Sequence, residues 1–219
     1  MANARIAVVD DHSLFAQAIS LVLRSGGAEV TVHPPALDIP DRLAGQDVDL
    51  LLLDLALGDG LTALDLLPDV VRLVGRVLVL TGETSVVSWG NCLLAGAHGV
   101  VPKTLSIEEI SALIAGLSRG DAVPEAYRDH RWSDAARRAA REQTATMEPF
   151  DALTRREQSV LNALVEGESA ADIARDAYVS EATVRSQIQS VLHKLGVRSQ
   201  LQAVARARRA GWVSPGATS

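Results

Sequence analysis

With a single cysteine, Cys92, in 219 residues, the chain can form no internal disulfide and no site built from several thiolates. In the run Trp89 to Leu94 that cysteine reads as a small buried apolar filler. Aromatic residues are also scarce, at 3 % of the chain, so any core must be assembled from Leu, Val and Ala, as in ordinary soluble domains. Long apolar runs are missing as well. Leu50 to Leu53 is followed at once by Asp54, far short of a membrane span. The opening Met-Ala-Asn-Ala-Arg leads straight into a strand-like run with no signal-peptide pattern, so a cytoplasmic location is expected. His12 and His98 have no second His or Cys at metal spacing and read as loop residues.

Positive charge is in short supply too, which argues against a general polyanion binder. The formal net charge is -6, but it is unevenly spread. Residues 1–120 hold 7 basic and 14 acidic side chains, residues 121–149 hold 5 and 6, and residues 150–219 hold 9 and 7. An acidic front and a mildly basic rear suggest two modules, with only the rear meeting nucleic acid. The expected division is a domain over 1–120, a linker over 121–149 and a second domain over 150–215.

Strand-like and helix-like runs alternate through the front module. Arg5 to Val9, Val30 to Val32, Leu50 to Leu53, Val77 to Leu80 and Gly99 to Val101 read as strands. Between them lie helical patterns over Ser13 to Arg24 (Leu14, Ala18, Leu21 and Val22 at helical spacing), Asp38 to Leu43, 61–73, 85–95 and 107–119. The last opens with Ser106 and Glu109, a capping-box pair. Five β/α repeats of this size predict an α/β doubly wound five-stranded parallel sheet with helices on both faces.

Ligand chemistry in such sheets gathers beyond the carboxyl ends of the strands. There stand Asp10 and Asp11, Asp54, Thr81 and Lys103. Singly, an Asp-Asp pair is more often a turn or helix cap, and a lone Thr or Lys a surface residue. Their joint occurrence at four strand ends changes the balance. Clustered carboxylates repel unless a divalent cation neutralises them, and an oxygen-only set suits Mg²⁺. A hydroxyl and an ammonium opposite would complete a pocket for phosphoryl oxygens.

The motifs Val8-Val9-Asp10-Asp11-His12, Leu53-Asp54-Leu55, Leu80-Thr81-Gly82 and Ala95-Gly96-Ala97-His98-Gly99 leading to Lys103 resemble those of a response-regulator receiver domain. That resemblance implies the receiver-like strand order 2-1-3-4-5. It also makes Asp54 the phospho-acceptor, and Asp10, Asp11, Asp54 and the Ala56 carbonyl the Mg²⁺ ligands. Thr81 and Lys103 become the phosphoryl-binding residues. Two departures stand out. Val100 occupies the position where receivers usually carry an aromatic switch, and Leu55-Ala56-Leu57-Gly58-Asp59-Gly60 replaces the usual loop after the acceptor. A phosphohydrolase of the haloacid-dehalogenase type also uses a strand-end Asp, a Thr or Ser and a Lys. It needs a second acid two residues after the nucleophile, where this chain has Ala56.

The stretch 120–149 is a composition break, with Gly120, Pro124 and Pro149 and dense Arg and Ala; Glu125 to Gln143 carries good helix formers. It is expected to be a charged, partly helical spacer, in which Tyr127 and Trp132 could pack on a domain.

In the rear module Thr154 and Glu157 make a second capping box, Gly167 stops the helix that follows, and Ser169 and Ser180 cap two more. Val160, Leu161, Leu164 and Val165 form the inward stripe of the first helix, and Ile173, Ala174 and Ala177 that of the second. In the third, Val184, Ile188, Val191, Leu192 and Leu195 face the core. The run Leu153 to Val213 closely resembles the LuxR-type helix-turn-helix that ends NarL/FixJ-type response regulators. An all-α four-helix unit is expected. Its third helix would present Ser180, Glu181, Thr183, Arg185, Ser186 and Gln187 to DNA, with Lys194 and Arg198 suited to phosphate. The resemblance makes Gln200 to Arg209 a dimerisation element.

The expected function is that of a two-component response regulator rather than an enzyme. A histidine kinase or small phosphodonor would phosphorylate Asp54, and a homodimer would then bind promoter DNA. The alternative is a phosphorylation-independent DNA-binding regulator whose receiver serves dimerisation or ligand sensing.

Overall fold

The computed structural model describes residues 4–212. The expected leaderless start at Met1 to Asn3, and the last residues assigned to the rear domain, 213–215, lie outside them. The chain divides into two compact units at Arg138/Ala139.

In the first unit the strands are β1 (Arg5–Val9), β2 (Glu29–His33), β3 (Leu50–Asp54), β4 (Val77–Thr81) and β5 (Gly99–Pro102). They pair in parallel in the order β2-β1-β3-β4-β5. Alternation along each strand sends side chains to opposite faces. Val9, Leu51, Leu53, Val79 and Val100 pack with α2 (Ile39–Leu43), α3 (Ala63–Val70) and α4 (Val86–Leu94). Val8, Leu50, Leu52, Leu80 and Val101 pack with α1 (Ser13–Ser25) and α5 (Ile107–Ser118). Every residue of β3 and β4 is buried, which explains their unbroken apolar runs. Each such Leu or Val contributes about 1.5–3 kcal/mol to the collapse.

The buried face of α1 differs from the expected stripe. Ala16, Ile19, Ser20 and Leu23 face the sheet, whereas Leu14 is 82 % and Leu21 68 % exposed. Apolar residues surround most of this helix, so periodicity alone leaves its rotation open. The small Ala16 and Ser20 admit closer approach to the sheet than Leu14 and Leu21 would.

The expected partly helical spacer is divided between the two units. Residues 121–138 belong to the first unit: Val123 is buried, a 3₁₀ turn spans Glu125–Tyr127, and α6 runs from His130 to Asp151. Tyr127 packs against the α1/α5 side of the core and Trp132 against the other. Pro149 lies inside α6, where it removes one ladder donor close to the helix end.

The second unit comprises the remainder of α6 with α7 (Arg155–Glu166), α8 (Ala170–Asp176), α9 (Glu181–Lys194) and α10 (Gln200–Ala210). Thr154–Glu157 and Ser169–Asp172 form reciprocal capping boxes, and Ser180 and Ser199 cap α9 and α10. Gly167, at φ +94°, closes α7 in the left-handed conformation that glycine adopts without strain. Val160, Leu161, Leu164, Ile173, Val184, Ile188 and Val191 make the core, and Phe150 stacks on Trp212 with ring centroids 5.6 Å apart.

Candidate phosphoryl pocket and recognition helix

Register brings the strand ends level: Val9 pairs with Leu53, Asp54 with Leu80, and Thr81 with Pro102. The residues just beyond therefore converge. Asp10, Asp54 and Thr81 are 5 %, 2 % and 1 % exposed, while Asp11 stands at the rim. Lys103 Nζ lies 2.5 Å from Asp54 Oδ2 and 2.8 Å from Asp10 Oδ2, and 4.9 Å above the Phe15 ring. The Lys103 backbone is set by its own N–H, which donates to the Thr81 carbonyl at 2.7 Å.

One ammonium faces two buried carboxylates, Asp10 and Asp54, with Asp11 at the rim. Burial and the neighbouring Asp10 charge push the Asp54 carboxyl up to about 6, against the opposing pull of Lys103. Asp10 Oδ2 is buried and accepts no well-aligned hydrogen bond, even with Lys103 close by. Asp10, Asp11, His12 and Asp54 bring ligand atoms within 4.8 Å of one another. The Ala56 carbonyl, two residues beyond Asp54, accepts no main-chain hydrogen bond among the described residues. An under-neutralised, oxygen-rich set with an unsatisfied buried oxygen fits a hard divalent cation such as Mg²⁺.

The loop after Asp54 is tight. Gly58, Asp59 and Gly60 take positive φ of 79°, 49° and 79°. Leu57 N–H donates to Leu61 O and Leu61 N–H to Gly58 O, folding the loop back so that a Cβ on Gly58 would stand 3.5 Å from Asp11 Oδ2. Thr81 Oγ1 accepts the Glu83 N–H at 2.9 Å. Val100 is fully buried, an aliphatic side chain where receivers usually carry an aromatic one.

His12, expected to be an ordinary loop residue, instead stands with the acids. Its Nδ1 lies 2.6 Å from Asp11 Oδ1 and 3.5 Å from both Asp10 Oδ1 and Asp54 Oδ2. Its position directly after the acid pair was the available signal. Phe15, under the Lys103 ammonium, carried no comparable signal. His98 keeps away from the acids, and its Nδ1 accepts the Val77 N–H at 3.2 Å.

In the second unit Ser180 Oγ accepts the Thr183 N–H at 3.1 Å and lies 2.8 Å from Thr183 Oγ1, fixing the start of α9. Glu181, Thr183, Arg185 and Ser186 are exposed, and Arg185 pairs with Glu181 across one turn at 2.5 Å. Gln187 is half-buried, its Oε1 enclosed without a partner. Arg198 is exposed at the following turn. Lys194 differs from the expected phosphate contact. Its ammonium sits 2.6 Å from Glu157 Oε2, and Ser190 Oγ donates to Glu157 Oε1 at 2.5 Å. Burial acts to raise the Glu157 carboxyl, but hydrogen bonds from Lys194, Ser190 and Thr154 outweigh it and hold it at about 2.

Comparison with known proteins agrees with this architecture. The response regulator receiver domain matches residues 6–115, and the bacterial regulatory proteins of the luxR family match residues 151–207. The chain is 31 % identical over 209 residues to the nitrate/nitrite response regulator protein NarP of Escherichia coli K12, covering 91 % of this chain and 92 % of that one. It is 30 % identical over 208 residues to the glycerol metabolism activator of Pseudomonas putida, covering 91 % and 93 %. RcsB from Salmonella enterica serovar Typhimurium, solved bound to promoter P1flhDC with the phosphomimetic BeF3-, shares the fold at a TM-score of 0.50 and 22 % identity, over 93 % of this chain and 97 % of that one. Among the described residues no helix is long and apolar enough to cross a membrane. With a receiver and a LuxR-type helix-turn-helix in one chain, and homology running almost end to end, the protein belongs to the NarL/FixJ-type two-component response regulators, which control transcription.

Proposed function

We propose that Asp54 is the phospho-acceptor and that its modification controls promoter binding by the second unit. A carboxylate oxygen of Asp54 attacks the phosphorus of a phosphohistidine on a kinase, or of a small acyl phosphate. A new P–O bond forms to Asp54, and the bond to the leaving imidazole nitrogen or carboxylate oxygen breaks. The leaving group keeps the electron pair: an imidazole nitrogen then takes a proton from solvent as needed, whereas a carboxylate departs as the anion. Asp10, Asp11, Asp54 and the Ala56 carbonyl would hold Mg²⁺, which supplies positive charge opposite the phosphoryl oxygens. Lys103, already 2.5 Å from Asp54, turns its ammonium to a phosphoryl oxygen, and the Thr81 hydroxyl donates to another. The observation that carries this reading is the geometry: Asp54 is buried at a strand end, with the Lys103 ammonium 2.5 Å away and Asp10 and Asp11 beside it.

The acyl phosphate carries about -1.5 to -2 charge, where the free carboxylate carried one, and puts three acceptor oxygens into the pocket, enough to repack its surroundings. A homodimer in the cytoplasm would then set two α9 helices about 34 Å apart, one turn of duplex. Ser180, Glu181, Thr183, Arg185, Ser186 and Gln187 would read bases or sugar-phosphate at the groove. Arg198 would grip phosphate, and Lys194 would do so only by leaving Glu157. Intact mass after acetyl phosphate and Mg²⁺, beside gel shifts with Asp54→Ala, tests the reading. One added phosphoryl group and tighter promoter binding, both lost in Asp54→Ala, are expected. Equal DNA affinity in all lanes would favour the second reading, a phosphorylation-independent regulator, for which the buried aliphatic Val100 speaks.

A further inference from the structure

A continuous set of contacts leads from the phosphoryl pocket to the start of α6, all within the first unit. Thr81 Oγ1 accepts the Glu83 N–H at 2.9 Å, and the Glu83 carbonyl accepts the Trp89 indole N–H at 3.2 Å. Trp89 meets Trp132 nearly edge to face, with centroids 4.7 Å apart and planes at 70°. Trp132 lies in the first turn of α6, whose backbone crosses α4 at Gly90. A Cβ there would stand 2.1 Å from the Trp132 carbonyl oxygen and 2.9 Å from Ala136 Cβ. Between Thr81 and Glu83, Gly82 would meet nothing within 4 Å of an added Cβ, so this stretch has room to move.

We propose that this contact set is a relay: phosphorylation of Asp54 reaches α6 through Thr81, Glu83 and the Trp89–Trp132 pair, releasing the first turns of α6 from α4. The relay rests on the phosphoryl chemistry at Asp54. When the Thr81 hydroxyl turns to donate to a phosphoryl oxygen, its bond from the Glu83 amide lengthens. The Glu83 carbonyl moves with its residue, and the indole N–H that it anchors loses its acceptor. Trp89 then has no fixed orientation under Trp132. The relay thus requires the pair to pass between two states, held as seen here and freed. The chain lacks an aromatic at Val100, yet both Trp89 and Trp132 pack against the very cluster that contains Val100. The aromatic bulk absent from β5 is present on α4 and α6 instead. Trp89 acts as a positioning residue; it touches no reacting atom.

The test uses the full chain carrying Trp212→Phe, which leaves Trp89 and Trp132 as the two remaining indoles of the 3 in the sequence. Acetyl phosphate with Mg²⁺ is the probe. Intact mass, tryptophan emission and the rate of tryptic cleavage at the exposed Arg131, Arg137 and Arg138 are read together. A gain of one phosphoryl group should bring red-shifted emission and severalfold faster cleavage in this part of α6. Trp89→Phe keeps a ring but loses the donor; it should phosphorylate normally while cleavage no longer responds. Gly90→Ala should cleave fast before any phosphodonor is added and still take up the phosphoryl group. Full phosphorylation with unchanged emission and cleavage, or a Trp89→Phe chain that responds like its parent, overturns the relay and leaves the Asp54 chemistry standing. No mass gain overturns both.

Discussion

Lys103 balances two buried carboxylates at once, so the pocket's charge turns on a single side chain. A second cation should relieve the rest. Mg²⁺ at a hundred times its Kd would stabilise the first unit by about 2.7 kcal/mol if it binds only the folded state. The rim residue Asp11 can be changed without opening the core, so Asp11→Asn should retain the metal-free melting temperature and lose most of that rise, as calorimetry with and without Mg²⁺ would show. The loop after Asp54 makes a different claim. Gly58 has φ +79° and a Cβ would meet Asp11 Oδ2 at an ordinary 3.5 Å, so strain rather than a clash sets the cost of Gly58→Ala. That cost should be about 1–2 kcal/mol in urea unfolding, the price of a left-handed L-residue. The pocket's principal side chains were legible because strand ends mark themselves in the sequence, each an acid, hydroxyl or ammonium following an apolar run. His12 was not, because with no second His or Cys at metal spacing it had nothing to set it apart from a loop histidine, although it directly follows the acid pair.

Among the elements, those buried on both faces declared themselves. Leu50–Asp54 and Val77–Thr81 have no polar side to lose, so their apolar runs can only be central strands. Helix α1 was legible as a helix but not in its rotation, since Leu14 and Leu21 compete with Ile19 and Leu23 for the inward side. The start of α6 was hidden for another reason: what makes it part of the first unit is Gly90, whose missing Cβ leaves space for the Trp132 backbone. Charged helix formers on its outer face conceal that contact. The caps lie within four residues of one another, and those at Ser106, Thr154, Ser169 and Ser180 were readable, whereas Thr62, Ser85 and Ser199 were not singled out. Ser180 holds the Thr183 N–H at 3.1 Å, and Ser180→Ala should cost about 1 kcal/mol of the second unit's stability. Thermal unfolding followed by circular dichroism would measure it, and an unchanged midpoint would show that α9 starts without its cap.

At the scale of the whole molecule, an overall charge of -6 must coexist with binding to a polyanion, so DNA contact depends on a few well-placed cations. Each phosphate neutralised steepens the fall of log K with log salt by about 0.9. Arg185, exposed and held only by Glu181 across one helical turn, is free to exchange that partner for DNA. Arg185→Ala should therefore lower the salt slope of promoter binding by about 1 and leave stability nearly unchanged. Lys194→Met should do the reverse. Glu157 is 7 % exposed, and without the Lys194 ammonium it keeps a buried charge that Ser190 and Thr154 satisfy only in part. Breaking this partly exposed pair from one side should cost about 1–3 kcal/mol, with the salt slope unaltered for whatever fraction still folds. The same group sets an acid limit. A carboxyl held at about 2 in the fold and near its ordinary 4.5 when unfolded stabilises the second unit fully above pH 4.5, and that contribution drains away as pH falls toward 2. At most about 3 kcal/mol is at stake, and Glu157→Gln should flatten the loss across this window. A double variant separates the roles. If Lys194→Met weakens DNA binding only because Glu157 is stranded, adding Glu157→Gln should restore affinity along with stability. Should it restore stability alone, while the salt slope stays about 1 unit shallower, Lys194 leaves Glu157 for phosphate when the duplex arrives.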